Sequence, residues 1–197
     1  MRRCSTSLAV CLIFAIAGCS KPETVQAPAS PPLANTPGES QGSTKVIDPC
    51  SLLTSKEIEA IQGAPFKETK PSSNSQRGFT ITQCYFLLPT AAESIVVSVT
   101  QRANGADARD PKHWWEETFH RDNDKANASR EEEGEAASPE KIENVGDEAF
   151  WTPQRFGGAL YVLKGNTYIR ISVGGPDDRA AKLQKSKSLA EKVLKRL

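Results

Sequence analysis

Residues 159–173 read Ala159-Leu160-Tyr161-Val162-Leu163-Lys164-Gly165-Asn166-Thr167-Tyr168-Ile169-Arg170-Ile171-Ser172-Val173. Two runs rich in β-branched and aromatic side chains flank Gly165-Asn166, a two-residue loop suited to a primed hairpin turn. That turn sets the register. Val162 is expected to face Ile169, and Leu160 to face Ile171, on one side; Leu163 faces Tyr168, and Tyr161 faces Arg170, on the other. The first side reads as core.

Working outward, two further β-runs precede this hairpin, Thr82 to Leu88 and Ser94 to Gln101. Cys84, Phe86 and Leu88 alternate with Tyr85 and Leu87, and Ile95, Val97 and Val99 alternate with Val96, Ser98 and Thr100. They predict an antiparallel pair. After the hairpin, a helix from about Asp177 to Arg196 carries Leu183, Ala190, Val193, Leu194 and Leu197 on an apolar stripe. Acidic residues stand at its start and Lys192, Lys195 and Arg196 at its end, in agreement with the helix dipole. Lys182, Lys185, Lys192 and Arg196 form a basic face that reads as solvated. Upstream, Thr54-Ser55-Lys56-Glu57 has the form of a capping box, and Gly63 with Pro65 ends a short helix with Ile58 and Ile61 on one face. Asp110-Pro111 opens another helix, with Trp115 and Phe119 as its expected buried pair. Gly157-Gly158 and Gly174-Gly175 fall together at the open end of the hairpin, where they either permit close backbone approach or supply turns. From about Asp122 to Asn144 the chain is charged, with Glu131, Glu132 and Glu133 in succession, and reads as a solvated loop. The fold class expected is α+β: an antiparallel sheet with helices packed against it.

The amino-terminal residues carry a different message. Met1-Arg2-Arg3, an apolar run from Leu8 to Ala17 and Ile16-Ala17-Gly18-Cys19 follow the order of a bacterial export signal, and the run is too short for a permanent membrane span. The last four residues resemble the lipobox of bacterial lipoproteins. That resemblance implies a leader over residues 1–18 and a lipidated Cys19 that anchors the protein in a membrane. Ser20, where an aspartate would signal retention in the inner membrane, favours the outer membrane facing the periplasm if the cell has two membranes. Residues 19–46 are rich in Pro, Ala, Ser, Thr and Gly and form a linker, reaching roughly 30 Å as a coil and about 80 Å if extended. A single globular domain is expected over residues 47–197.

Losing Arg2 and Arg3 with the leader takes 25 basic residues to 23 against 24 acidic ones, a formal charge of −1. This balance gives no basis for nucleic-acid binding. Of the five cysteines, Cys4 and Cys11 leave with the leader and Cys19 is blocked, which leaves Cys50 and Cys84. In an oxidising compartment they are expected to form a disulfide. The alternative, two ligands to a soft metal, lacks the other ligands of a tetrahedral site.

Asp48-Pro49-Cys50-Ser51-Leu52-Leu53-Thr54, the later Cys84-Tyr85, Val145-Gly146-Asp147-Glu148-Ala149 and the closing strand pair with its helix together resemble a family of bacterial lipoproteins of unknown function, common in actinobacteria. The resemblance covers most of residues 47–197. It implies the Cys50–Cys84 disulfide and a PsbP-like sandwich, and it brings no catalytic residues.

Chemical motifs are absent: there is no G-x-S-x-G, P-loop, H-E-x-x-H or dinucleotide fingerprint. His113, Glu117 and His120 share one face of a predicted helix at spacings of four and three, but three ligands on one helix rarely close a metal site without a fourth, and no metal or other cofactor is assigned. Trp114 and Trp115 stand about 100° apart on that helix and cannot both face one core. The function expected is a membrane-tethered, non-catalytic binding or accessory module in the cell envelope, with an envelope protein or glycan as partner. A small-ligand or metal carrier is the alternative, and an enzyme is less favoured. The contact surface expected is Trp114 with the outer hairpin face of Tyr161, Tyr168 and Arg170, since Trp, Tyr and Arg most often anchor interfaces.

Overall fold

Helix α1 spans Ser55–Gln62 because both ends are chemically specified. Thr54 Oγ1 accepts from Glu57 N, Glu57 Oε2 accepts from Thr54 N, and Gly63 closes the helix in the left-handed region. The computed structural model describes residues 45–120, 138–154 and 157–197. The leader, Cys19, the linker as far as residue 44 and the acidic run around Glu131 lie outside the described residues.

Seven strands form one sheet among the described residues: β1 (Glu68–Gln76), β2 (Phe79–Leu87), β3 (Ile95–Arg102), β4 (Glu140–Lys141), β5 (Glu148–Gln154), β6 (Gly157–Lys164) and β7 (Thr167–Val173). Their order is β1-β2-β3-β7-β6-β5-β4, and every neighbouring pair is antiparallel. This is the α+β architecture expected. The β6–β7 hairpin has the expected register, with Val162 opposite Ile169, Leu160 opposite Ile171, Leu163 opposite Tyr168 and Tyr161 opposite Arg170. Of the two loop residues, only Gly165 has a positive φ, 58°, which is the pattern of a type II′ turn.

Helix α3 (Arg179–Leu194) starts where Asp178 accepts from Ala181 N and packs on β6 and β7 beside α1. Between these helices and the sheet lies the main core, built on Leu53, Ile58, Phe86, Val97, Trp151, Leu160, Val162, Ile169, Ile171, Leu189 and Val193. The stripe on α3 differs from the expected one in its details: Leu189 is fully buried, while Leu197 lies beyond the helix and is exposed. The expected basic face is also dispersed. Lys182 is buried, Lys185 pairs with Asp177 at 2.6 Å, and Arg196 turns back to Glu57.

Cys50 and Cys84 are joined by a disulfide that ties a 3-10 turn (Pro49–Ser51) to β2. The chain just before it is clamped by side chains. Gln101 accepts from Ile47 N through Oε1 and donates to Lys45 O through Nε2, and Thr82 Oγ1 donates to Ile47 O. Residues at the end of the charged stretch depart from the expected solvated loop. Glu140–Lys141 pair with β5, Ile142 N donates to Ala149 O, and the Ile142 and Val145 side chains are buried in the core, so apolar burial and backbone bonds together dock the segment on the sheet edge. The two sheet edges are guarded differently: β4 is two residues long, and β1 is polar and carries Pro71, which offers no amide to a further strand.

Candidate binding surface

Alternation along the strands divides the sheet into two faces. The face opposite the main core presents Thr100, Tyr168, Leu163 and Glu148 in one cross-strand row, and Ser98, Arg170, Tyr161 and Phe150 in the next. Helix α2 (Pro111–Phe119) covers part of this face, capped by Asp110, whose carboxylate accepts from Lys112 N and His113 N. Two side chains position it. Asn166 Oδ1, in the hairpin turn, accepts from Lys112 N at 3.2 Å, and Asp147 Oδ2 holds the same turn by accepting from Gly165 N at 2.6 Å. The Gly165 amide, and next the Lys164 ammonium, hold the Asp147 carboxyl below its ordinary range.

Trp115 and Trp114 diverge as their adjacency requires. Trp115 is fully buried in a second cluster with Phe150, Leu163 and Tyr168, and Trp114 sits half-buried at its flank with Phe119 and Tyr161. The expected buried pair is present, with Trp115 and Phe119 rings 4.4 Å apart, although Phe119 keeps some exposure.

The hairpin face expected to be outward is therefore partly a floor beneath α2. Tyr168 is only 8% exposed and is stacked under Trp114, so it offers no contact surface; this corrects the expectation for that residue. Burial raises its phenol above the ordinary range, against a hydrogen bond with Thr100. Trp114, Tyr161 and Arg170 remain half-exposed on the same face, and the Arg170 guanidinium lies 5.8 Å from the Tyr161 ring centroid.

His113, Glu117 and His120 do not converge on one point. His113 Nδ1 lies 3.8 Å from Glu117 Oε2, and Arg109 bridges to the same oxygen at 3.2 Å. His120 instead turns to Glu148, with Nε2 and Oε2 2.7 Å apart, and Trp115 Nε1 donates to that oxygen at 2.7 Å. Among the described residues no group of three such side chains is arranged to hold a metal ion. Burial raises the Glu148 carboxyl, but the hydrogen bonds from Trp115 and His120 and the nearby Lys141 outweigh it and leave the group below the ordinary range.

The anchoring role of Glu148 and the place of Phe150 are not legible in the sequence because β5 has apolar residues on both faces: Ala149 and Trp151 enter the main core, and Phe150 enters the second. The one usable signal is the short run Ala149-Phe150-Trp151 bounded by Gly146-Asp147 and Pro153. An open groove of about 370 Å³ lies elsewhere, between the entering chain at Val46–Pro49 and Pro71–Ser73 of β1.

No family model matches this chain, and neither the curated proteins nor the solved structures contain a match to it.

Proposed function

We propose that the chain is a lipid-anchored, extracytoplasmic binding module of the cell envelope that works without catalysis, tethered through Cys19 and presenting the sheet face around Trp114, Tyr161 and Arg170 to a partner. The observation that carries this reading is the gathering of those three half-exposed side chains on one face, beside a helix whose own aromatic residues hold it in place. Such side chains contribute the largest share of binding energy in known interfaces. The Cys50–Cys84 disulfide supports an oxidising compartment, since cytosolic thiols are kept reduced. Ile16-Ala17-Gly18-Cys19 supports the anchor.

Two measurements test the reading. Replacing Cys19 by Ser should move the protein out of the membrane fraction or leave it unprocessed, and mass spectrometry of the parent should find diacylglycerol on Cys19. In intact cells, a photoreactive residue at position 114 should capture a partner, and Arg170→Ala should weaken that capture while the domain stays folded. Unchanged partitioning of the Cys19 variant together with no diacylglycerol on Cys19 of the parent, or capture indifferent to every substitution on this face, overturns the corresponding half of the proposal.

A further inference from the structure

Arg170 lies near the middle of β7, with Ser98 opposite on β3 and Tyr161 opposite on β6. Its Nε donates to Tyr161 Oη at 3.2 Å and its Nη2 donates to Gln154 Oε1 at 3.2 Å. Both acceptors are neutral. Among the described residues no carboxylate forms an ion pair with it, whereas Arg109, Arg179 and Arg196 each face a glutamate. A guanidinium carries more N–H donors than these two bonds use, arranged in a planar fork that matches a carboxylate. The bonds to Tyr161 and Gln154 fix the fork in place, which lowers the ordering cost of accepting an anion.

The surroundings add to this. Ser98 on β3 and Gln83 on β2 lie on the same face in the row of Arg170, and Ser172, whose Oγ donates to Gly158 O, lies further along β7; all three are half-exposed, and no acidic residue stands in the rows that hold them. The Tyr161 ring stands beside the guanidinium. The result is a shallow platform with one oriented positive charge, hydroxyl groups around it and an aromatic plane at its border. A carboxylate alone would use the charge; the hydroxyls and the ring suit the hydroxyl edges and the C–H face of a sugar.

We propose that this face, read above as the binding surface, takes an acidic glycan, with a sugar carboxylate on the Arg170 fork and a pyranose ring against Tyr161. The inference rests on the binding-module reading and names its ligand class.

The test uses the full-length protein in detergent, titrated calorimetrically with trigalacturonate, with neutral maltotriose and with inorganic phosphate. Trigalacturonate should bind, maltotriose at least tenfold more weakly. Arg170→Gln should lower the trigalacturonate affinity by about 10-fold or more, and Arg170→Lys should not restore it, because an ammonium lacks the fork. An unchanged thermal midpoint in both variants keeps the comparison one of binding. Equal affinity for maltotriose, full affinity in Arg170→Gln, or binding of phosphate as tight as that of trigalacturonate overturns the ligand class. If trigalacturonate fails while position 114 still captures an Arg170-dependent partner in cells, the ligand class falls and the binding role stands. Loss of both removes the role as well.

Discussion

Trp114 lies flat on Tyr168, the ring centroids 4.8 Å apart and the planes 14° from parallel. The stack joins the exposed side of α2 to the floor of β7. Replacing Trp114 by Ala should cost about 2 kcal/mol, from lost area and ring contact together, and should return water to Tyr168. Burial raises the Tyr168 phenol, so the stability linked to it is present below the ordinary tyrosine range and is lost as pH rises through the folded value. In the Trp114 variant, ultraviolet titration should find this phenol ionising at lower pH than in the parent. An unchanged titration curve refutes the idea that Trp114 is its cover.

Glu148 is the polar anchor on the other side of α2. One oxygen takes the Trp115 indole N–H and also faces His120 Nε2. Trp115 is fully buried, so Glu148→Leu leaves a buried donor without an acceptor and should destabilise the fold by about 2 to 3 kcal/mol. Trp115→Phe in the same background should recover part of that loss. Denaturant unfolding of the two single variants and the double variant measures the coupling.

How far the fold could be read from the sequence depended on whether one face of each element was polar. The β6–β7 register was legible because a two-residue loop and period-two alternation agree, and α1 was legible because Thr54, Glu57 and Gly63 state both of its ends. Strand β1 was not: Glu68–Gln76 is polar on both faces, an edge strand held by backbone bonds to β2, with no alternation to betray it. Strand β5 failed for the opposite reason, since Ala149, Phe150 and Trp151 serve two cores. The same two-sidedness explains what was legible of the candidate surface. Tyr161, Tyr168 and Arg170 do share a face, but nothing in their spacing says that α2 covers Tyr168 and leaves Arg170 half-exposed.

Gly158 is a close-approach glycine. A Cβ there would sit 2.2 Å from Trp151 Cζ2, and Trp151 is buried with no room to retreat. Gly158→Ala should therefore destabilise the domain by about 1 to 3 kcal/mol, whereas Gly63→Asn, at the left-handed cap of α1 where a Cβ would meet nothing within 4 Å, should cost far less. Thermal midpoints of the two variants decide the matter, and equal midpoints contradict the packing argument.

The disulfide closes a loop with its cysteines 34 positions apart. By the chain-entropy model it is worth about 3 to 4 kcal/mol. Cys84 is fully buried under the entering chain, so the paired Cys50→Ala, Cys84→Ala variant should show a lower unfolding midpoint in denaturant with little change in the native circular dichroism. Parent protein unfolded without reductant should bind no thiol reagent at these two positions. Ready alkylation of either cysteine under those conditions rules the bridge out.

Arg196 closes the fold onto its own beginning. Its Nη2 and Nη1 donate to the two Glu57 oxygens at 2.8 and 3.0 Å, and Nη1 also donates to Leu52 O. The Glu57 carboxylate thus completes the α1 cap and holds the segment that follows α3. Its hydrogen bond with Arg196, opposed by desolvation and helped by Thr54, lowers it to about 2. A carboxyl depressed in the folded state adds stability above its unfolded value of 4.5, and that stability fades as pH falls toward about 2. Glu57→Gln should lower the thermal midpoint by a few degrees near neutral pH, and the gap to the parent should shrink steadily below pH 4.5. Arg196→Gln should show the same closing gap, because both substitutions remove one interaction. Thermal scans of the three proteins from neutral to strongly acidic pH check it, and a gap that stays constant across the acid range shows that the pair does not carry the linkage.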